Sequence, residues 1–252
     1  MTTAHDRALA LAGLGVVAVL CWTWIAFAAA DMQRDMRGAA AWMMPAQWSS
    51  RYALLIFAMW AVMMIAMMLP SAAPVALLYQ RVAGSDGQVA HAALRLYAFT
   101  AGYLSIWCLF SLAATGLQWA LSASNLLSPM MRVRNDTAVA ALLIAAGTWQ
   151  WSPLKQRCLR HCSSPAEFIA REWRAGTAGA WQMGLRLGVY CLGCCWAMML
   201  LLFVGGVMSF AWIVAISLVV LLEKFLPWGA NASRVFGAAL TLAGFATLAF
   251  PR

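Results

Sequence analysis

The stretch CLGCCWAMMLL, residues 191 to 201, sets three thiols in a segment otherwise apolar enough for the middle of a bilayer. Cys191, Cys194 and Cys195 stand at helical offsets of zero, three and four, and Met198 and Met199 extend the same face. Upstream, KQRCLRHC places Cys158 and Cys162 four residues apart with His161 between them, on one face if that segment is helical. Thiolate and thioether sulfurs are soft donors that select Cu(I), Zn(II) or Fe–S clusters over Mg or Ca. A thiolate in hydrocarbon is costly unless a cation compensates its charge. Two cysteine groups close in sequence are therefore a stronger metal signal than either alone. The competing readings are thiol–disulfide exchange between Cys191 and Cys194 or between Cys158 and Cys162, and plain packing. Free cysteine is a small buried hydrophobe, and small residues gather where membrane helices touch. The isolated Cys21 and Cys108 read as packing.

A second sulfur-rich stretch is MWAVMMIAMMLPSAAP. Met63 and Met67 fall on one stripe with Met59, and Met64 and Met68 on another, in a segment whose Pro70 and Pro74 should kink or break it. Neutral thioethers can hold Cu(I) in a membrane without a buried anion, although methionine is also a common flexible filler. In LLEKFLPWG, Glu223 is either a proton or metal group or a partner for a basic residue of the 154–183 segment, the latter favoured, while Lys224 reads as a snorkelling interfacial lysine. No phosphate-binding glycine loop, Ser–His–Asp set or paired catalytic carboxylates stand out, so hydrolases and ATP-driven pumps are poor candidates.

These residues must be positioned by membrane helices. The chain has 252 residues, 64% of them hydrophobic and 10% charged, with a mean hydropathy of +0.78. Soluble domains carry about 25% charged residues. Seven apolar runs predict a polytopic all-α transmembrane bundle forming a single domain over 1–252: Ala8–Ala30, Tyr52–Tyr79, Leu94–Leu121, Thr137–Trp151, Gly184–Val204, Met208–Leu226 and Ser233–Phe250. The net charge of +9 sits in the connections, where it serves orientation and anionic headgroups rather than nucleic acid. Counting Lys and Arg puts eleven on the side of the N-terminus and six on the other, which predicts a cytoplasmic N-terminus in a bacterial inner membrane. Residues 31–50 read as an extracytoplasmic interfacial segment. Residues 152–183 read as a basic cytoplasmic loop holding one short helix, with Ser164 as its cap and Pro165 at its first position. Gly205 and Gly206 read as the turn between the fifth and sixth runs.

Four motifs, MWAVMMIAMMLPSAAP, QWSPLKQRCLRHC, GLRLGVYCLGCCWAMMLLLFVGGVM and LLEKFLPWG, occur in an order that resembles a bacterial family of predicted metal-binding integral membrane proteins, catalogued as a domain of unknown function. The likeness covers roughly residues 50 to 230. It implies roles for Met63, Met67, Pro70, Pro74, Cys158, Cys162, Cys191, Cys194, Cys195, Glu223 and Lys224. One departure is Leu187, which stands where the family pattern carries histidine, so imidazole is left out of the core site.

The expected function is binding of a thiophilic metal for handling or delivery, with Cu(I) favoured over Zn(II) or Fe–S. The cysteines would form a tight cytoplasmic-side site and Met63, Met64, Met67 and Met68 a weaker one in mid-membrane. His161, Met198, Met199 and Glu223 are further candidate donors, and a membrane or metal-delivery protein is the expected partner. The alternatives are a membrane thiol–disulfide oxidoreductase and a non-catalytic subunit of a larger complex.

Overall fold

The structure is a computed structural model that describes residues 4–33, 48–83, 89–128 and 131–250. The central part of the expected interfacial segment, residues 34–47, lies outside the described residues. Helices follow one another as α1 (Ala4–Gln33), α2 (Ser50–Ala83), α3 (Val89–Ala123), α4 (Asp136–Trp151), α5 (Pro153–Ser163), α6 (Pro165–Glu172), α7 (Gly176–Leu200), α8 (Leu202–Gly205), α9 (Phe210–Phe225) and α10 (Gly229–Ala249). Among the described residues the one β-type pairing is an isolated bridge between Leu127 and Val133.

All seven apolar runs become helices, but among the described residues five rather than seven helices are long and apolar enough to cross a membrane. The two that fall short are α4 and α9, of 16 residues each. At 1.5 Å per residue these are about 24 Å long, short of the ~30 Å hydrocarbon layer. Asn135 accepts from the Ala138 amide and fixes the start of α4. At its other end the Ser152 hydroxyl accepts from the Leu154 amide, and Pro153 begins α5 as a separate helix.

The expected break at Pro70 and Pro74 does not occur, since α2 runs unbroken through both. Pro70 has no N–H to give the Ala66 carbonyl, and the Trp22 indole of α1 donates to that oxygen instead at 3.0 Å. A neighbouring helix thus satisfies the group that proline orphans.

Glycines bring two pairs of helices into close approach. Along α3 and α7, a Cβ on Gly184 would strike the Phe99 carbonyl, one on Gly102 the Trp181 carbonyl, and one on Gly188 would lie 2.8 Å from the Ile106 side chain. Along α4 and α10, Gly147 faces Thr241, and a Cβ on Gly244 would lie 2.6 Å from Ile144. Small residues let membrane-type helices meet backbone to backbone. The Gly205–Gly206 turn is as expected: Gly206 has φ +99° and ends α8. The basic 152–183 segment holds two helices rather than one. Ser164 sits at the cap position of α6, but its side chain makes no capping bond there.

Candidate metal centre

The α5 helix is amphipathic, and its buried face is Lys155, Cys158, Leu159 and Cys162, while Arg157 and Arg160 face outward. That face lies on α7, whose Cys191, Cys194 and Cys195 are 1%, 2% and 1% exposed. Cys162 lines the same closed junction as Cys191. A Cβ on Gly193 would come within 2.7 Å of Cys158 Sγ, so the glycine leaves the space that this sulfur fills. The two cysteine groups therefore converge in space.

Cys191 is the hub. Its sulfur receives the Lys224 ammonium at 2.9 Å and lies 3.1 Å from the Tyr103 hydroxyl. Lys224 also donates to Ser71 Oγ at 2.9 Å. Tyr103 reaches the Met68 carbonyl at 3.1 Å, and Met68 Sδ lies 3.9 Å from Cys195 Sγ. The Cys194 and Cys195 thiols donate to the Cys191 carbonyl at 3.1 and 2.8 Å. Ser71, Ala72, Tyr103, Cys162, Leu187, Cys191 and Lys224 close around a junction with no space for a water molecule. Leu187, at the position where the family pattern carries histidine, thus lies against the cluster.

Both α5 thiols are held toward their protonated forms. Cys162 is pushed well above the ordinary thiol value by the hydrogen bonds it makes to Cys191 and Cys194, and by burial. Cys158 is raised by burial and by its proximity to Cys194.

The other sequence candidates go elsewhere. His161 stacks on Tyr190, ring centres 4.4 Å apart, and its Nδ1 lies 2.9 Å from the Arg157 carbonyl. Met198 Sδ accepts from the buried Gln150 amide at 2.8 Å, and Gln150 Oε1 in turn accepts from Ser233. Met199 is buried in the core. Glu223 pairs with Lys155 at 2.7 Å, both buried, which is the favoured structural pairing with the basic segment. Met63, Met64 and Met67 are buried along α2 beside Met68.

Two residues central to this geometry were missed or misread. Lys224 turns inward rather than snorkelling, and its spacing from Ile213, Ser217 and Val220 puts it on the buried face of α9. Tyr103 continues the buried run of Phe99 and Trp107 at four-residue steps. Among the described residues no three His, Cys, Asp or Glu side chains form a ready metal cage. The reason is local: Cys194 and Cys195 are turned onto a carbonyl, and the ammonium of Lys224 sits on Cys191. Rotation of those thiols is what the cluster needs to present several sulfurs to one ion.

The fold and the cluster define a class: a helical protein with helices suited to a bilayer and buried soft donors brought together from separate helices. The chain belongs to the PpoB2 copper chaperone family, whose model matches residues 57–247 and so spans all the groups just described. No curated protein and no solved structure matches the chain.

Proposed function

We propose that the protein is a membrane-embedded copper chaperone that holds Cu(I) on sulfur and passes it to a partner. The observation that carries this reading is that Cys162 of α5 lines the same closed junction as Cys191 of α7, with Cys158 packed at Gly193 and Cys194 and Cys195 buried beside them. Cys158, Cys195 and the Met68 thioether surround them, a donor set suited to a soft monovalent ion. Membership in a copper chaperone family supports copper as the cargo. A membrane setting is supported by the large apolar side chains on outward faces, among them Leu20, Phe27, Leu54, Leu109, Leu112, Val235, Leu242 and Phe245. The excess of basic residues in the connections supports a bacterial inner membrane with the N-terminus and the α5 face toward the cytoplasm. Met63, Met64 and Met67 then offer weaker thioether donors deeper in the bundle, a gradation that allows release as well as binding.

The test is metal analysis of protein purified anaerobically and loaded with Cu(I) or Zn(II). Copper retained by the wild type and lost from the Cys191→Ser/Cys194→Ser/Cys195→Ser variant is the expected result. A folded wild-type protein that stays metal-free after loading overturns the reading. Alkylation of the same samples with and without reductant discriminates the oxidoreductase, which would show a readily exchanged disulfide.

A further inference from the structure

Lys224 is the chemically unusual member of the cluster. It is 5% exposed, on a short helix whose outer face is apolar, and its nitrogen is directed at a sulfur rather than a carboxylate. The neighbouring Glu223 makes its close ion pair with Lys155, at 2.7 Å through Oε2, rather than with Lys224. A buried ammonium without a counter-charge is strongly unfavourable. The charge it faces is therefore whatever the sulfurs carry.

We infer that Lys224 is a specificity-determining residue that makes the sulfur cluster prefer a monovalent ion over a divalent one; this rests on the copper-binding reading above. Copper(I) held by two thiolates carries one net negative charge, which the Lys224 ammonium cancels. A divalent ion on the same sulfurs is neutral, and the ammonium beside it is left uncompensated. Repulsion between the ammonium and the bound ion also scales with the ion's own charge, so a divalent ion suffers it twice over. The low-dielectric surroundings of α2, α3, α7 and α9 leave little solvent to screen it. Ser71 and Tyr103 hold the geometry: Ser71 accepts from the ammonium, and the Tyr103 hydroxyl lies 3.1 Å from the same sulfur.

The ratio of Zn(II) to Cu(I) affinity isolates this effect. Where both ions displace the same number of thiol protons, which titration at two pH values checks, protonation and packing cancel in the ratio, whereas a fixed charge does not. The full-length protein in detergent is titrated anaerobically with Cu(I) and with Zn(II), each against a competing chelator. Lys224→Gln, which keeps a hydrogen-bond donor and removes the charge, raises the Zn(II)/Cu(I) ratio by about tenfold or more. Lys224→Arg keeps the charge and keeps the wild-type ratio. A folded Lys224→Gln protein with an unchanged ratio overturns the inference while leaving copper binding intact. A wild type that binds no Cu(I) overturns both readings. Should Lys224→Gln fail to fold, the wild type decides with softer probes, Ag(I) and Cd(II): preference for Ag(I) supports the inference and preference for Cd(II) sinks it.

Discussion

Two buried lysines meet different chemistry a short distance apart. Lys155, on α5, meets the carboxylate of Glu223 at 2.7 Å, and Lys224, the next residue along α9, meets the sulfur of Cys191 at 2.9 Å. Both ammonium groups are out of water, so both depend on a partner. A carboxylate is a hard donor and a poor ligand for a soft ion. A thiolate sulfur is soft, with lone pairs left for a metal while the ammonium stays beside it. The first pair ties the surface helix α5 to the bundle, and the second leaves a sulfur available. One ties a helix to the bundle through a carboxylate, and the other sets the same kind of cation on a sulfur.

Breaking the joint should have the largest effect on the fold. Lys155→Met leaves the Glu223 carboxylate buried without its partner, and its other oxygen already has none among the described residues. The expected loss is about 3–5 kcal/mol, read as a lowered unfolding midpoint in detergent. Copper retention should fall with it, because α5 carries Cys158 and Cys162. A double variant, Lys155→Met with Glu223→Leu, replaces the pair by apolar groups and should recover much of the stability. If the single variant is as stable as the wild type, the pair is not a joint and the contrast fails.

A pair of glycines on α7 sharpens the same contrast between scaffold and site. Gly184→Ala drives a methyl into the Phe99 backbone, which cannot give way, and about 1–3 kcal/mol of stability should be lost through the α3–α7 contact. Gly193→Ala meets the sulfur of Cys158, the movable end of a side chain, at 2.7 Å. Its effect should fall on copper affinity rather than on unfolding, because the sulfur is pushed out of place. Equal losses of stability in the two variants, with copper affinity unchanged in Gly193→Ala, would contradict that division.

Much of the scaffold was legible from the sequence, because hydrophobic runs bounded by charge and proline set helices one by one. The convergence of the cysteine groups was legible too, since α5 and α7 are joined by a short segment and each group falls on one face. What escaped depended on contacts between distant parts of the chain. The helix through Pro70 survives because of Trp22, a residue 44 positions away. Lys224 read as an interfacial residue because its place near the end of an apolar run resembles a snorkelling lysine. Only the position of Cys191 reveals why it turns inward. The bounds of α4 and α9 came within two residues of the expected runs, and it was their standing as crossings that went astray: Asn135 begins α4 and Ser152 and Pro153 end it, while Ser209 and Leu226 bound α9.

The smallest expected effect separates the α5 thiols from the carboxylate joint by pH. Cys158 and Cys162 are raised above the ordinary thiol value of 9.0, Cys162 by its hydrogen bonds to Cys191 and Cys194 and by burial, Cys158 by burial first. Below that value both the folded and unfolded chains hold these protons, and the stabilisation is fully present. Above it the unfolded chain gives them up while the folded chain keeps them, so the unfolded state binds fewer protons and stability falls as pH rises. The slope is at most about 1.4 kcal/mol per pH unit for each thiol, and it ends once the folded values are reached. Thermal unfolding of the metal-free protein between neutral pH and pH 10 should therefore steepen above pH 9 in the wild type. It should steepen less in Cys158→Ser/Cys162→Ser, whose hydroxyls do not titrate there. Parallel curves would mean that the α5 thiols are not held protonated by the cluster, and the hydrogen bonds from Cys162 to the α7 sulfurs would be the first feature to abandon.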